Sequence, residues 1–114
     1  MSRPLAHPNI EDTTVAGILH ALADPLRVAI VRELLNAEAR LNCTQVTNRL
    51  EVDLPKSTCS QHYRILRESG LIISERKGVE LTSRVRVREL EARFPGLLQS
   101  ILNAYEQETA KTQQ

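Results

Sequence analysis

Lys56, Ser57, Thr58, Ser60, Gln61 and Arg64 crowd the first half of the stretch Pro55-Lys-Ser-Thr-Cys-Ser-Gln-His-Tyr-Arg-Ile-Leu-Arg-Glu-Ser-Gly70. Their chemistry is hydrogen bonding. Lysine and arginine donate to phosphate or guanine, glutamine pairs with adenine, and serine is short enough to let a backbone approach the bases. At helical spacing Cys59, Tyr63 and Leu66, with His62 beside them, fall on one stripe, while Lys56, Ser57, Ser60, Gln61 and Arg64 fall on other faces. The stretch therefore reads as a helix that packs on one side, offers hydrogen bonds to a DNA groove on another, and stops at Gly70. A solvated helix face has the same pattern, so the surrounding elements must decide between the two.

A second group of candidates follows directly. Residues 71–78 and 79–87 are rich in β-branched side chains around Lys77-Gly78, and predict a hairpin with Arg76 and Lys77 at a basic tip. Arg84, Arg86 and Arg88 alternate and are expected to share one strand face. Charge supports a phosphate contact here. Residues 1–54 hold five basic against seven acidic side chains, 55–88 hold eight against three, and 89–114 hold two against four. The net charge of +1 thus conceals a local surplus, and phosphate affinity depends on the contacting surface rather than on the protein average.

The elements that position these groups are legible in order. Residues 1–12 contain Pro4 and Pro8 without periodicity and predict a flexible arm. Val15, Ile18, Leu19 and Leu22 predict a short amphipathic helix from Thr14. Asp24-Pro25 is an N-cap followed by proline at the first helical position, opening a largely apolar helix to about Asn36 that should be the buried centre. Asn42-Cys-Thr-Gln45 has the form of a capping box for a helix over about 43–51. Val52-Asp-Leu-Pro55 then makes a tight turn, so the two helices form a helix-turn-helix. Glu89-Leu-Glu-Ala-Arg93 suggests a helical turn before a last helix that starts at Pro95, and residues 107–114 should fray. Leu97, Leu98, Ile101, Leu102 and Tyr105 form a stripe wider than so small a domain needs. Part of it, with Val15, Ile18 and Leu19 of the first helix, is expected to face a second copy of the chain.

The length of 114 residues fits one domain, here 13–106. A hydrophobic content of 41% with only 3% aromatic residues and no Trp predicts a mostly α fold with an aliphatic core, and lacks the stacking platforms of single-strand and RNA-binding modules. No apolar run approaches a membrane span, so the expectation is a cytoplasmic protein without a membrane partner, whose two cysteines remain thiols.

In this order and spacing the chain resembles the ArsR-type winged helix-turn-helix repressors over about Val15 to Tyr105. Ala21-Leu-Ala-Asp-Pro-Leu-Arg-Val-Ala-Ile-Val31 is similar to the family's ALADPTRLAIL segment, and the residues from Ser57 to Ile72 are similar to its PTVSHHLKVLREAGLV segment. The resemblance implies a homodimer that places two recognition helices in successive major grooves of a palindromic DNA operator, with wings on the adjacent backbone. It puts Lys56, Ser57, Ser60 and Gln61 against bases or phosphates, and Arg76 and Lys77 at the wing tip. His62 matches a histidine that is usually structural, and Pro55 replaces the usual serine cap.

Many such repressors respond to metals or oxidants. A zinc site on paired terminal helices needs Asp and His, or His and Glu, at one-turn spacings, and residues 93–105 contain no His, Cys, Asp or Glu. An arsenic-type site needs about three neighbouring thiolates, whereas Cys43 and Cys59 are 16 residues apart. No metal and no cofactor are expected. Cys59 replaces a valine and reads as core filler. Cys43 begins a helix, which favours a reactive thiolate, and is the candidate redox thiol, with an idle thiol as the alternative. The inducer is unknown from the residues. Three scattered histidines and surface acids assemble no catalytic site, so an enzyme is not expected. The rival is a winged-helix protein-interaction module, which would not need basic residues at Arg76, Lys77, Arg84, Arg86 and Arg88.

Overall fold

The computed structural model describes residues 2–37 and 39–112. In chain order it contains β1 (Ser2–Pro4), a 3-10 turn at Ile10–Asp12, α1 (Val15–Ala21), α2 (Pro25–Asn36), β2 (Leu41–Asn42), α3 (Cys43–Leu50), α4 (Lys56–Glu68), β3 (Ile72–Lys77), β4 (Glu80–Val85), α5 (Val87–Arg93) and α6 (Leu97–Thr112). This is a winged helix-turn-helix. The helices pack on the base of an antiparallel sheet of order β1-β3-β4-β2, whose central hairpin is the wing.

Local signals set the helix starts. Thr14 accepts the Gly17 amide at 3.0 Å, and Asp24 accepts the Leu26 amide at 2.8 Å with Pro25 following. Asn42 and Gln45 form a reciprocal capping box with both bonds at 2.8 Å. Val28, Ile30, Val31 and Leu34 of α2 lie in the core with Ile18, Val46, Cys59, Leu66, Leu71 and Ile72, so α2 is the buried centre that its composition predicts. Each such side chain contributes about 1.5–3 kcal/mol on burial.

Arg27 joins the helices at their ends. Only 9% exposed, it donates to the carbonyls of Ala21 and His20 at 2.6 and 3.4 Å, pairs with Asp24 at 3.5 Å, and donates to His62 Nδ1 at 3.3 Å. A guanidinium has no acceptor, so His62 presents a lone pair there and acts as a structural link between α2 and α4.

Several expectations are corrected. Residues 2–7 of the arm expected to be loose over 1–12 dock on the wing: β1 pairs with β3 in the register Arg3↔Arg76, the Leu5 amide reaches Ser74 O at 3.1 Å, and His7 Nε2 accepts the Ser74 amide at 2.9 Å. Strand pairing uses backbone groups of a distant segment, which leaves no local periodicity to read. Met1 lies outside the described residues. The tail expected to fray from 107 continues as helix to Thr112, built from good helix formers such as Gln107 and Ala110, and 113–114 lie outside the described residues. Leu41 and the capping residue Asn42 also pair with β4, a short strand that the sequence reading did not assign.

Arg86 and Arg88 are not on a strand. Arg86 is 5% exposed, bonds both carboxylate oxygens of Glu89 at 3.1 and 2.7 Å, and donates to Pro8 O at 2.9 Å. That bond holds Glu89 below the usual carboxylate range. The cysteines, expected as free thiols, form a disulfide between the start of α3 and the buried face of α4. Helix-turn-helix packing brings them together, which their sequence spacing alone does not reveal.

Candidate nucleic-acid interface

The recognition helix α4 is anchored by Cys59, Tyr63 and Leu66, all at most 4% exposed. Helix geometry then fixes the other faces. Ser57, Gln61 and Arg64 lie opposite that anchor, in an exposed stripe one turn apart. Lys56, Ser60 and Arg67 form the neighbouring stripe on the wing side, whereas exposed Thr58 lies on the other flank beside His62. The sequence-predicted set is thus exposed but divides into an outward stripe, a wing-side stripe and one outlying threonine.

Between α4 and the wing runs a cleft of about 360 Å³, where Lys56, Ser60 and Arg67 face Arg76 and Glu80. Arg67 was not among the residues singled out from the sequence, although its spacing from Lys56 and Ser60 was a usable signal. Burial, and then the nearby Arg64, lower its pKa. The Tyr63 hydroxyl is buried without a hydrogen-bond partner, and desolvation pushes its pKa far up, which leaves it a neutral phenol.

The wing turns tightly at Gly78-Val79, with Gly78 at φ 63° and Lys77 paired to Glu80. Cross-strand partners share a face, so Arg76 and Leu81 point with buried Ser74 and Ser83 toward α4. Lys77 projects from the opposite face, beside Arg40 and Glu75. Arg84 is exposed on that same face, one residue pair before the strand ends. The wing is braced on α3 by Asn42, which donates to Glu80 at 2.8 Å, by the Arg40–Glu75 ion pair, and internally by the buried Ser74–Ser83 hydroxyl pair at 2.7 Å. Basic side chains therefore line both faces of the wing, at Arg76, Lys77 and Arg84, while Arg86 serves the core.

The expected partner-facing residues also divide. Val15 and Leu19 are 40% and 50% exposed. Ile18 and Leu102 are buried in the chain's own core and are not free to meet a second copy. Leu98, Ile101 and Tyr105 are half-buried, and the Tyr105 hydroxyl donates to Leu22 O at 2.6 Å. Among the described residues no group of three or more His, Cys, Asp or Glu side chains gathers as a metal site, and no helix is long and apolar enough to cross a membrane.

Comparison with known proteins agrees with this architecture. A family described as a helix-turn-helix domain matches residues 22–75, from the end of α1 into β3. The chain is 30% identical over 91 residues to YceK, an HTH-type transcriptional regulator of Bacillus subtilis (strain 168), covering 80% of this chain and 89% of YceK. Among solved structures, the transcriptional repressor PagR of Bacillus anthracis matches at 30% identity and a TM-score of 0.56, covering 75% of this chain and 90% of PagR. The homodimeric winged helix-turn-helix DNA-binding domain Mb0332 of Mycobacterium bovis, a possible ArsR-family regulator, shares the fold at a TM-score of 0.61 and 23% identity, covering 82% of each chain. With the helix-turn-helix, the wing and a relative covered over most of its length, the chain belongs to the ArsR-type winged helix-turn-helix family of transcriptional regulators.

Proposed function

We propose that this chain is a homodimeric, cytoplasmic repressor that reads a palindromic double-stranded DNA operator, with α4 in the major groove and the β3–β4 wing on the flanking backbone. The observation that carries the reading is the exposed stripe Ser57, Gln61 and Arg64, set opposite a packed face, with Lys56 and Arg76 on the cleft beside it and Lys77 on the outer face of the wing. Ser57 and Gln61 have the donors and acceptors to read base edges, whereas the flanking cations have the charge to hold phosphates without sequence preference. The protein acts by binding and requires no catalytic group or cofactor.

Dimerisation follows from exposed Val15 and Leu19 on α1, next to the half-buried stripe of α6. A two-fold axis through these helices would present two copies of α4 to successive grooves, so the operator mirrors the protein's symmetry. The test is selection of bound sequences from random duplexes at moderate salt. A palindrome should emerge, with half-sites about one helical turn apart. No enrichment, together with retention on a protein partner, would replace this reading with that of an interaction module.

A further inference from the structure

The cleft between α4 and the wing, about 360 Å³, falls within the size range of small-molecule sites. Lys56, Arg67 and Arg76 border it, and among the described residues none of the three makes an ion pair or a side-chain hydrogen bond. Arg67 is half-buried, so part of its charge has lost water without gaining a bonded anion. Glu80 is the one acid on the lining, and its Oε1 is already engaged by Asn42 Nδ2 at 2.8 Å. With three cations against one carboxylate, the cleft holds a surplus of two positive charges.

Two further groups on the same cleft lack partners. Tyr63 borders it, and the Tyr63 hydroxyl is buried with no hydrogen bond, so it has given up water for nothing. Val79, at the wing tip, is 99% exposed and borders the cleft beside half-buried Leu81. An apolar lip thus stands next to unpaired cations.

We propose that this cleft binds a phosphate monoester with an apolar body, and that this ligand and the operator exclude one another. A monoester is close to a dianion at neutral pH and matches the surplus of two charges, whereas each DNA phosphodiester carries one. Its terminal oxygens suit the guanidinium forks of Arg67 and Arg76, with Lys56 as a point charge. The Tyr63 hydroxyl gains an acceptor, and the apolar body covers Val79 and Leu81. The exclusion rests on the operator-reading function proposed above, which gives Lys56 and Arg76 to DNA phosphates: cations engaged by the dianion are lost to the duplex.

The experiment is calorimetric titration of the full chain with phenyl phosphate at constant ionic strength and about pH 7.5, above the second pKa of the ester. Phenyl phosphate should bind about tenfold more tightly than inorganic phosphate, because the ring covers apolar surface. Dimethyl phosphate, a monoanion like the DNA backbone, should bind more weakly than both. Arg67→Gln should weaken phenyl phosphate at least about tenfold, and Tyr63→Phe about fivefold with no fall in the urea unfolding midpoint, since the lost hydroxyl has no partner in the chain. Val79→Ser should remove most of the preference for phenyl over inorganic phosphate. Lys77→Ala, the same loss of charge on the outer face of the wing, should leave phenyl phosphate binding unchanged. With phenyl phosphate at about ten times its dissociation constant, the apparent operator Kd should rise at least about tenfold by fluorescence anisotropy. Absence of binding, equal affinity for the three anions, indifference to Arg67→Gln and Tyr63→Phe, or unchanged operator affinity would overturn the proposal. A chain that enriches no operator overturns the DNA reading instead, and the direct titrations decide the cleft without DNA.

Discussion

In the DNA-reading function proposed above, Gln61 and Lys77, both exposed, would divide the work of the interface. Gln61 stands on the stripe opposite the α4 anchor, where an amide can bond one base edge in two places, whereas Lys77 lies at the wing tip on the face away from α4. Gln61→Ala should therefore lower affinity for the selected operator by about 1–3 kcal/mol and leave random duplex binding unchanged. Lys77→Ala should weaken both and flatten the slope of log affinity against log salt by about one unit. Anisotropy titrations over a salt series measure both effects, and equal losses on specific and random DNA for both variants would refute the division of roles. Arg86 supplies the contrast. Its charge is spent on Glu89 and the Pro8 carbonyl, so a basic residue counted toward the wing from its position in the chain is in fact a core residue.

At the level of elements, the ends of α4 and the N-terminal arm control how firmly the motif is held. Gly70 closes α4 at φ 87°, and a Cβ there would stand 2.1 Å from the Thr13 methyl. Thr13 is itself fixed, since it donates to Ile10 O at 2.6 Å and accepts from Arg93. Gly70→Ala combines backbone strain of about 1 kcal/mol with an overpacking cost of about 1–3 kcal/mol, and should lower unfolding stability by at least about 2 kcal/mol in urea titrations. A loss under about 0.5 kcal/mol would show that Thr13 yields freely.

The arm responds to pH through His7. Burial lowers its pKa from 6.5, its backbone bond with Leu5 opposes the shift, and Arg86 and Arg67 add to it. Because the folded value is depressed, the stabilisation is present above pH 6.5 and is lost as pH falls through the folded value. An imidazolium has no lone pair for the Ser74 amide. Between about pH 7 and pH 5, exchange of that amide should accelerate relative to its intrinsic rate. His7→Phe should abolish the difference; the same protection at both pH values in the natural chain would sink the idea.

Over the whole molecule, the decisive question is which apolar surface the single chain has already used. Ile18 and Leu102 complete its core, and Val15 and Leu19 remain outside. Leu19→Asp should therefore leave the unfolding temperature of the protomer nearly unchanged while shifting the dimer toward monomer in sedimentation equilibrium. Loss of the second half-site should cost operator affinity sharply with little change in random duplex binding. A variant that remains dimeric would move the two-fold axis away from α1.

The sequence by itself determined the parts that depend on near neighbours. Asp24-Pro25, the Asn42–Gln45 box and Gly70 punctuate the helices; the 3.6-residue rhythm of Cys59, Tyr63 and Leu66 assigns one face of α4 to packing and another to solvent. Those rules act within a turn or two of chain, so they survive without a fold. Tertiary structure alone decided the rest: that residues 2–4 pair with the wing, that Arg27 bridges α1, α2 and His62, that Arg86 turns inward, and that Cys43 meets Cys59. Each joins segments through backbone groups or single side chains and leaves no periodic trace. Hydrophobic patterning states which face is buried, and only packing selects the partner it is buried against.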